Sequence, residues 1–596
     1  MRKPFQAFRE LMRIGFGAAP RHATLQFLTG IVFEVSVPLG GLGAKTIVDA
    51  AVSGDLRLGL AAAVLLAVTV GAALTSVFYY VHCLFTVQER ASAVAGKRLM
   101  QLIGGAEGLT HHEYPEYLDQ VQRIREQQGQ LSGMVNATAG VLRVGATLAV
   151  TAVLLARVDP LLLCLPVLAG VSFWLGKLSR DLAVRAQEAT SERERLRAHL
   201  FELGTSTAAS GELRVYGLTG LLGERHRQVS GSVIGQRNRA SWRGAVLQAV
   251  DAMVTAVGYI AAITLVMVLA VRGSATAGDV VLVLGLAAQL SSTVGTAVRY
   301  GTYFLVVLRV GGRLVWLQEY VADERRSPAV PVAVPATLSS GIELQDVRFA
   351  YPGAKDGRGV LAGVDLHLPP GAVVALVGDN GAGKTTLIKL LCGFYRPDSG
   401  RILVDGVDLA DHDTAQWRSR CSAAFQDYAR LELPVLETVG VGDLPRIGDR
   451  AAVGAAIERA DASGVVAGLP QGLDTRLGTR WDDGAELSGG QWQRLALGRG
   501  LMRTEPLIAV FDEPTAALDA HTENALFERF AAAARAGRGR STVTLLVSHR
   551  FSTVGMADLI IVLDDGVIRE QGSHLELMSR GGLYAELFEL QSRGYR

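Results

Sequence analysis

At 596 residues the chain has room for at least two domains. Its mean hydropathy is positive and only 19% of its residues are charged, which excludes an ordinary soluble protein. A formal net charge of +2 supplies no basic face for nucleic acid, and Cys83, Cys164, Cys392 and Cys421 lack the paired spacing of a disulfide framework or a zinc site.

The apolar excess sits in the first half. Residues 1–16 (MRKPFQAFRELMRIGF) are basic and amphipathic, predicting a helix that lies on the inner membrane face. No cleavable signal follows, and no soluble domain or peptidase is expected ahead of the first span. Apolar runs at 25–47, 58–84, 134–155, 161–175, 246–271 and 280–308 are predicted membrane helices. Most reach the roughly 20 residues needed to cross a bilayer. The fourth is short and is expected to begin nearer Val158 and to continue past Lys177. The short connections carry one Arg each (Arg57, Arg157, Arg272), whereas those at 88–130 and 177–243 are crowded with Lys and Arg. This asymmetry predicts a multi-pass protein of the plasma (inner) membrane, with the long connections, both termini and the C-terminal half in the cytoplasm.

The long connections read as membrane helices that run on into the cytoplasm and turn back at tips. The candidate tips are 113–120 (EYPEYLDQ), where Pro115 marks a turn, and 211–222 (GELRVYGLTGLL). His111 and His112 are adjacent, so on a helix they diverge by about 100° and, with no further ligand nearby, make a poor metal pair. Within the spans, Glu34 and Asp251 are ionisable groups that need a cavity or a partner. Glu34 either meets a cationic group of a cargo or pairs in the bundle with Arg143 or Arg299. Lys45 and Asp49, four residues apart, are expected to pair locally. Residues 322–340 lose periodicity and hold three prolines, an extended linker between a membrane domain at 1–321 and a second domain at 341–596.

That second domain carries the chemistry. The apolar run 373–377 (VVALV) reads as a strand buried on both faces. Gly378, Asp379, Asn380, Gly381, Ala382, Gly383, Lys384, Thr385 and Thr386 follow, and a helix opens at Lys384. Strand, glycine loop and helix form the context in which GxxxxGK[ST] cradles phosphate. Glycines let amide groups converge on oxygens, and the helix N-terminus adds partial positive charge. Lys384 suits the β- and γ-phosphates, and the Thr385 hydroxyl suits Mg²⁺. A second buried strand delivers Asp512, another Mg²⁺ candidate, and Glu513, a candidate general base. Ser488, Gly489, Gly490 and Gln491, in the segment LSGGQ, open another helix and make a second anion-binding end.

Glycine loop, LSGGQ and strand-terminal carboxylates together resemble the ATPase of ATP-binding cassette (ABC) transporters, and the six spans extend the resemblance along essentially the whole chain. It implies an all-α six-helix transmembrane domain with long cytoplasmic extensions, followed by an α/β P-loop NTPase domain, with ATP and Mg²⁺ as cofactors. It implies that ATP lies head to tail between two ATPase domains, so that Ser488 and Gly490 of one copy meet the phosphate held by Lys384 of another. A twofold homodimer is the simplest assembly, and a heterodimer with a degenerate chain stays open. Four further residues take their roles from the resemblance alone. Tyr351 would stack on adenine, Gln426 would touch Mg²⁺ and water, Asp519 would communicate across the dimer, and His549 would contact the γ-phosphate. The tips correspond to coupling helices that press on the ATPase. One departure stands before LSGGQ, where a glutamate-bearing VGExG-like segment is replaced by 480–486 (RWDDGAE). Either Asp482 or Asp483 would supply the acidic contact. That stretch and 212–218 (ELRVYGL) look more like exporters of modified peptides such as lantibiotics. The resemblance therefore implies an ATP-driven exporter working by alternating access in membrane lipid, with a peptide or other amphipathic cargo, lipid or drug export and exporter-fold import being the alternatives.

Overall fold

The computed structural model describes residues 2–206, 209–324, 332–352, 359–513, 541–548 and 554–594. Two compact units divide the chain: Met1–Ile103 with Val121–Gln318, and Gly104–Gln120 with Glu319–Arg596.

The first unit is helical. α1 (Arg2–Ala18) buries Ala7, Leu11 and Ile14, spaced to share one face. That face lies close against Gly311, where an added Cβ would come within 2.6 Å of Leu11. After it come α2 (Pro20–Ser53) and α3 (Leu56–Ile103), then α4 (Pro115–Glu126), α5 (Met134–Val158), α6 (Cys164–Ala189), α7 (Ser191–Thr205), α8 (Ser210–Val215), α9 (Thr219–Val271) and α10 (Ala277–Glu324). Six of these stretches are long and apolar enough to cross a membrane, the fourth being Pro160–Ala189, longer than the apolar run at 161–175. α3 holds 48 residues, about 72 Å of helix against a hydrocarbon core of about 30 Å. It therefore projects well beyond the bilayer, as the long charged connection predicts. Val64, Val68, Phe78 and Phe85 of α3 are each more than 60% exposed. Such an apolar surface is untenable in water and suits lipid, so the chain is a multi-pass membrane protein.

Charged pairs link helices of the bundle. Lys45 does not pair with Asp49. Its ammonium meets Asp279 on α10, and Asp49 Oδ1 instead accepts the Gly278 N–H at 2.9 Å. Both α2 side chains face the N-terminus of α10, whose unpaired N–H groups and positive dipole end draw carboxylates. Gly278 permits the approach, since a Cβ there would sit 2.3 Å from the Lys45 carbonyl oxygen. Glu34 lies 4.0 Å from the Arg143 guanidinium, while Arg299 donates to Thr296. The bundle pair is thus Glu34–Arg143. Arg143 also donates to Tyr300 at 2.7 Å and lies over the Tyr80 ring at 4.2 Å.

The second unit contains two sheets. β1 (Ile342–Phe349), β2 (Leu361–Leu368), β4 (Ser399–Val404) and β5 (Val407–Asp408) form an antiparallel sheet in the order β2-β1-β4-β5. β3 (Val373–Val377), β6 (Cys421–Ala424), β7 (Ile508–Asp512), β8 (Val543–Val547), β9 (Leu559–Asp564) and β10 (Val567–Gly572) form the other, in the order β10-β9-β3-β8-β7-β6. All of its pairings are parallel except β9–β10. β3, β7 and β8 are buried at every position, as continuous apolar runs require in a covered parallel sheet. α11 (Lys384–Leu391) follows β3, and α16 (Gly489–Gly500) precedes β7. Between them lie α12 (Thr414–Ser419), α13 (Val435–Gly440), α14 (Arg450–Arg459) and α15 (Ser463–Ala467). α17 (His574–Arg580) and α18 (Leu583–Gly594) close the chain.

The expected linker is partly helical and partly tied down. α10 reaches Glu324, Val332 bridges to His412, and Arg420 donates to the Ala336 carbonyl at 2.5 Å. Asp405 accepts the N–H groups of Ser339, Ser340 and Gly341, and these bonds pull its carboxyl below the usual range against the opposing effect of burial.

Candidate active site

Parallel order brings the C-terminal ends of β3, β7 and β6 to one edge, where a crevice-binding site forms in open α/β sheets. At the end of β3, Gly378 has φ +148 and faces the backbone of β9 so closely that a Cβ would lie 2.0 Å from the Leu563 carbonyl oxygen. Gly383, at φ +104, caps α11 in the left-handed region. Between them Asp379, Asn380 and Gly381 are exposed, and Ala382 is buried. Lys384 folds its ammonium back over the loop, donating to the carbonyls of Gly378 at 2.7 Å and Asp379 at 2.9 Å. It is only 7% exposed, and burial pulls its pKa below the ordinary lysine value against the pull of Glu513, Asp512 and Asp379.

Thr385 Oγ1 donates to Asp512 Oδ2 at 3.4 Å. Asp512 is 3% exposed, and burial, aided by the Glu513 charge, pushes its carboxyl above the usual range. Glu513 adopts φ +47, a left-handed conformation that costs a side-chain-bearing residue energy and marks a constrained turn. Three bonds hold that turn: its N–H to the Val547 carbonyl at 3.1 Å, Gln426 Nε2 to Glu513 Oε2 at 3.0 Å, and Gln493 Nε2 to its carbonyl at 3.2 Å. The structure thus brings Gln426 and Glu513 together. Gln493 was not anticipated. Its signal was faint, a second glutamine two positions after Gln491 on the buried face of α16.

Ser488 caps α16. Its Oγ accepts the Gln491 N–H at 3.3 Å, and its own N–H donates to Gln491 Oε1 at 2.9 Å. Tyr428 donates to the Gly489 carbonyl at 3.0 Å. Ser488 and Gly489 remain exposed and Gly490 half-buried, and among the described residues none of their hydrogen bonds reaches the phosphate loop. Asp482 and Asp483 are exposed. Tyr351 is half-buried, and its hydroxyl shares a hydrogen bond with Thr386 Oγ1 at 3.1 Å. Asp519 and His549 lie outside the described residues.

Loop amides, a buried ammonium and the oxygens of Thr385 and Asp512 form a donor set suited to a polyphosphate with a hard divalent cation. The match with known proteins agrees. Residues 361–516 fit the family model described as ABC transporter. An ATP-dependent lipid A-core flippase of Aromatoleum aromaticum is 37% identical over 338 residues, covering 56% of this chain and 53% of that protein. A flippase of the same description from Burkholderia pseudomallei is 39% identical over 269 residues, covering 45% of this chain and 43% of that protein. The chain thus spans about half the length of these curated relatives. A solved structure of a bacterial Atm1-family ABC exporter with ATP bound shares the fold with a TM-score of 0.75 at 24% identity, over 96% of this chain and 99% of that one. Residues 361–516 thus match the ABC transporter family, within a chain that has the fold of that exporter structure.

Proposed function

We propose that the protein is an ATP-driven exporter that moves an amphipathic lipid across the membrane by alternating access. The observation that carries this reading is the strained Glu513 turn, braced by Gln426 and Gln493 beside Asp512 and Lys384, in a chain with six membrane spans. Glu513 accepts a proton from water as the water oxygen bonds to the γ-phosphorus and the bond to the departing ADP oxygen breaks. Lys384 leaves its carbonyl partners for the β- and γ-phosphates. Thr385 and Asp512, with Gln426, would hold Mg²⁺, which would supply positive charge to offset that developing on the phosphate oxygens. Tyr351 takes the adenine, and His549 and Asp519 take the γ-phosphate contact and the cross-dimer contact that the family resemblance assigns to them.

Two copies complete the site. Ser488 and Gly490 of one copy present the N-terminus of α16 to the phosphate on the Lys384 of the other. ATP favours the closed pair because only that state supplies this second set of contacts. The ATPase and both termini lie on the cytoplasmic side. A lipid cargo replaces the modified peptide suggested by 212–218 and 480–486, because the relatives matched over 338 and 269 residues are named for lipid A-core. Reconstitution in liposomes tests the reading with a panel of labelled phospholipids and amphipathic peptides. ATP-dependent movement of a lipid, lost in Glu513→Gln, supports it. Hydrolysis stimulated by peptides alone restores the peptide cargo, and flux that survives Glu513→Gln points to a gated channel. Inside-out vesicles separate export from import by the side on which cargo accumulates.

A further inference from the structure

The first tip contacts the ATPase at Phe394 and Tyr395, just beyond the C-terminal cap of α11. Gly393, at φ +68, ends that helix, and the Phe394 N–H returns to the Lys389 carbonyl at 2.9 Å. Phe394 and Tyr395 are thereby fixed to the far end of the helix that begins with Lys384. The Phe394 carbonyl accepts the Leu109 N–H at 3.0 Å. Gly108 lies so near the same carbonyl that an added Cβ would stand 3.0 Å from it. Beside this bond the Tyr395 hydroxyl donates to Glu113 Oε1 at 2.9 Å. On its other side, Tyr117 lies against His111, with centroids 4.8 Å apart, and against Tyr320 at 5.1 Å.

Tyr395 is 5% exposed, and its ring is one corner of an aromatic triangle. It stands edge-on to Tyr351, with centroids 5.4 Å apart and planes at 87°, and Phe349 lies 5.2 Å from it and 5.1 Å from Tyr351. The Lys389 ammonium lies 5.5 Å from the Tyr351 ring centre and 5.9 Å from that of Tyr395, so one cation bridges both. The same tyrosine that bonds the tip therefore sets the edge against which Tyr351 rests. Edge-to-face contacts transmit ring orientation because each ring constrains the tilt of the next.

We infer that Tyr395 is a positioning residue that couples adenine binding on Tyr351 to the docking of the first tip through Glu113. The inference rests on the reading of Tyr351 as the adenine platform and specifies how that platform communicates. The Glu113 bond holds the Tyr395 ring, and the held ring keeps Tyr351 aligned for the base. Coupling of this kind is reciprocal: whatever the base does for the tip, the tip does for the base and not for the phosphates.

Equilibrium binding of ATP and of inorganic tripolyphosphate to the full chain in lipid nanodiscs tests it. Tyr395→Phe keeps the ring and removes the hydroxyl, and Glu113→Leu keeps most of the bulk of an exposed side chain and removes the acceptor. Each is expected to weaken ATP binding about fivefold, at the lower end of the range for coupled sites, while tripolyphosphate binding stays unchanged. The double variant should be no weaker than either single one, since both remove the same bond. Unchanged ATP affinity, equal losses for both ligands, tighter ATP binding or additive losses each overturn the coupling. If the wild-type chain binds ATP no more tightly than tripolyphosphate, the adenine platform itself fails and the coupling falls with it. An ATP preference that is intact but insensitive to both variants leaves the platform standing and removes only the coupling.

Discussion

Two helices in the ATPase begin at polar, glycine-marked N-termini, and they differ in how far each is finished within its own chain. α11 opens under a left-handed glycine, with Lys384 7% exposed and already bonded to two loop carbonyls. α16 opens under Ser488, whose capping box satisfies its own backbone while the serine and Gly489 stay exposed. The first is an enclosed cradle, and the second is a presented surface. A capped but uncovered helix N-terminus keeps its partial positive charge available to an anion brought by another molecule.

The largest expected effect falls on the enclosed side. Glu513→Gln should lower turnover by about 10²- to 10⁴-fold, the usual contribution of a general base, with nucleotide still bound. A loss below tenfold in a phosphate-release assay would remove Glu513 from that role. Next comes a test of division between chains. Lys384→Ala and Ser488→Arg homodimers should each be inactive, yet a mixture reassembled from both should regain roughly a quarter of wild-type turnover, because half of the dimers carry one undamaged composite site. Mixtures as inactive as their parents would show that α16 does not serve a neighbouring chain.

A smaller effect separates stability from activity. Burial holds the Asp512 carboxyl above its usual range, so the folded protein favours the protonated acid. The stability this contributes is present below the ordinary carboxylate pKa and is lost as pH rises through the raised value, leaving a buried charge at neutral pH. Asp512→Asn should accordingly raise the Tm of the nucleotide-free protein by a few degrees, about 1 kcal/mol, while abolishing Mg²⁺-dependent hydrolysis. A lower Tm would mean that Asp512 is held by favourable contacts. The smallest effect concerns the tip. Burial, helped by the neighbouring His112, pushes His111 down to about 4 from an ordinary value of 6.5. Its contribution is complete above 6.5 and declines as pH falls toward 4. The slope of Tm against pH in that window should flatten in His111→Leu, and parallel curves would refute the assignment.

Much of the catalytic edge was legible before folding because its parts are local. The run that enters the loop at 378–386 and the apolar run that ends in Asp512 and Glu513 both read as short buried strands, as β3 and β7 are. Gln426, by contrast, was legible only through family resemblance. Nothing within 421–427 announces that parallel pairing of β6 with β7 will bring its amide to Glu513. Gln493 is not legible in the sequence because a glutamine on an amphipathic helix looks like solvent-facing polarity until the turn after the partner strand is known.

The membrane half divides in the same way. Apolar runs of bilayer length and the arginine asymmetry established six spans and long extensions from the chain alone, since both depend on composition along a segment. Tertiary structure decided the partners. Lys45 and Asp49 share a helix face, and that face turned toward the N-terminus of α10, where Asp279 and the Gly278 amide outcompeted the local pair. Tertiary structure likewise chose Tyr395 for Glu113, across 282 positions of sequence. Periodicity and motif describe what a segment can offer. Which offer is taken depends on the surfaces that packing brings within about 3 Å, the reach of a hydrogen bond.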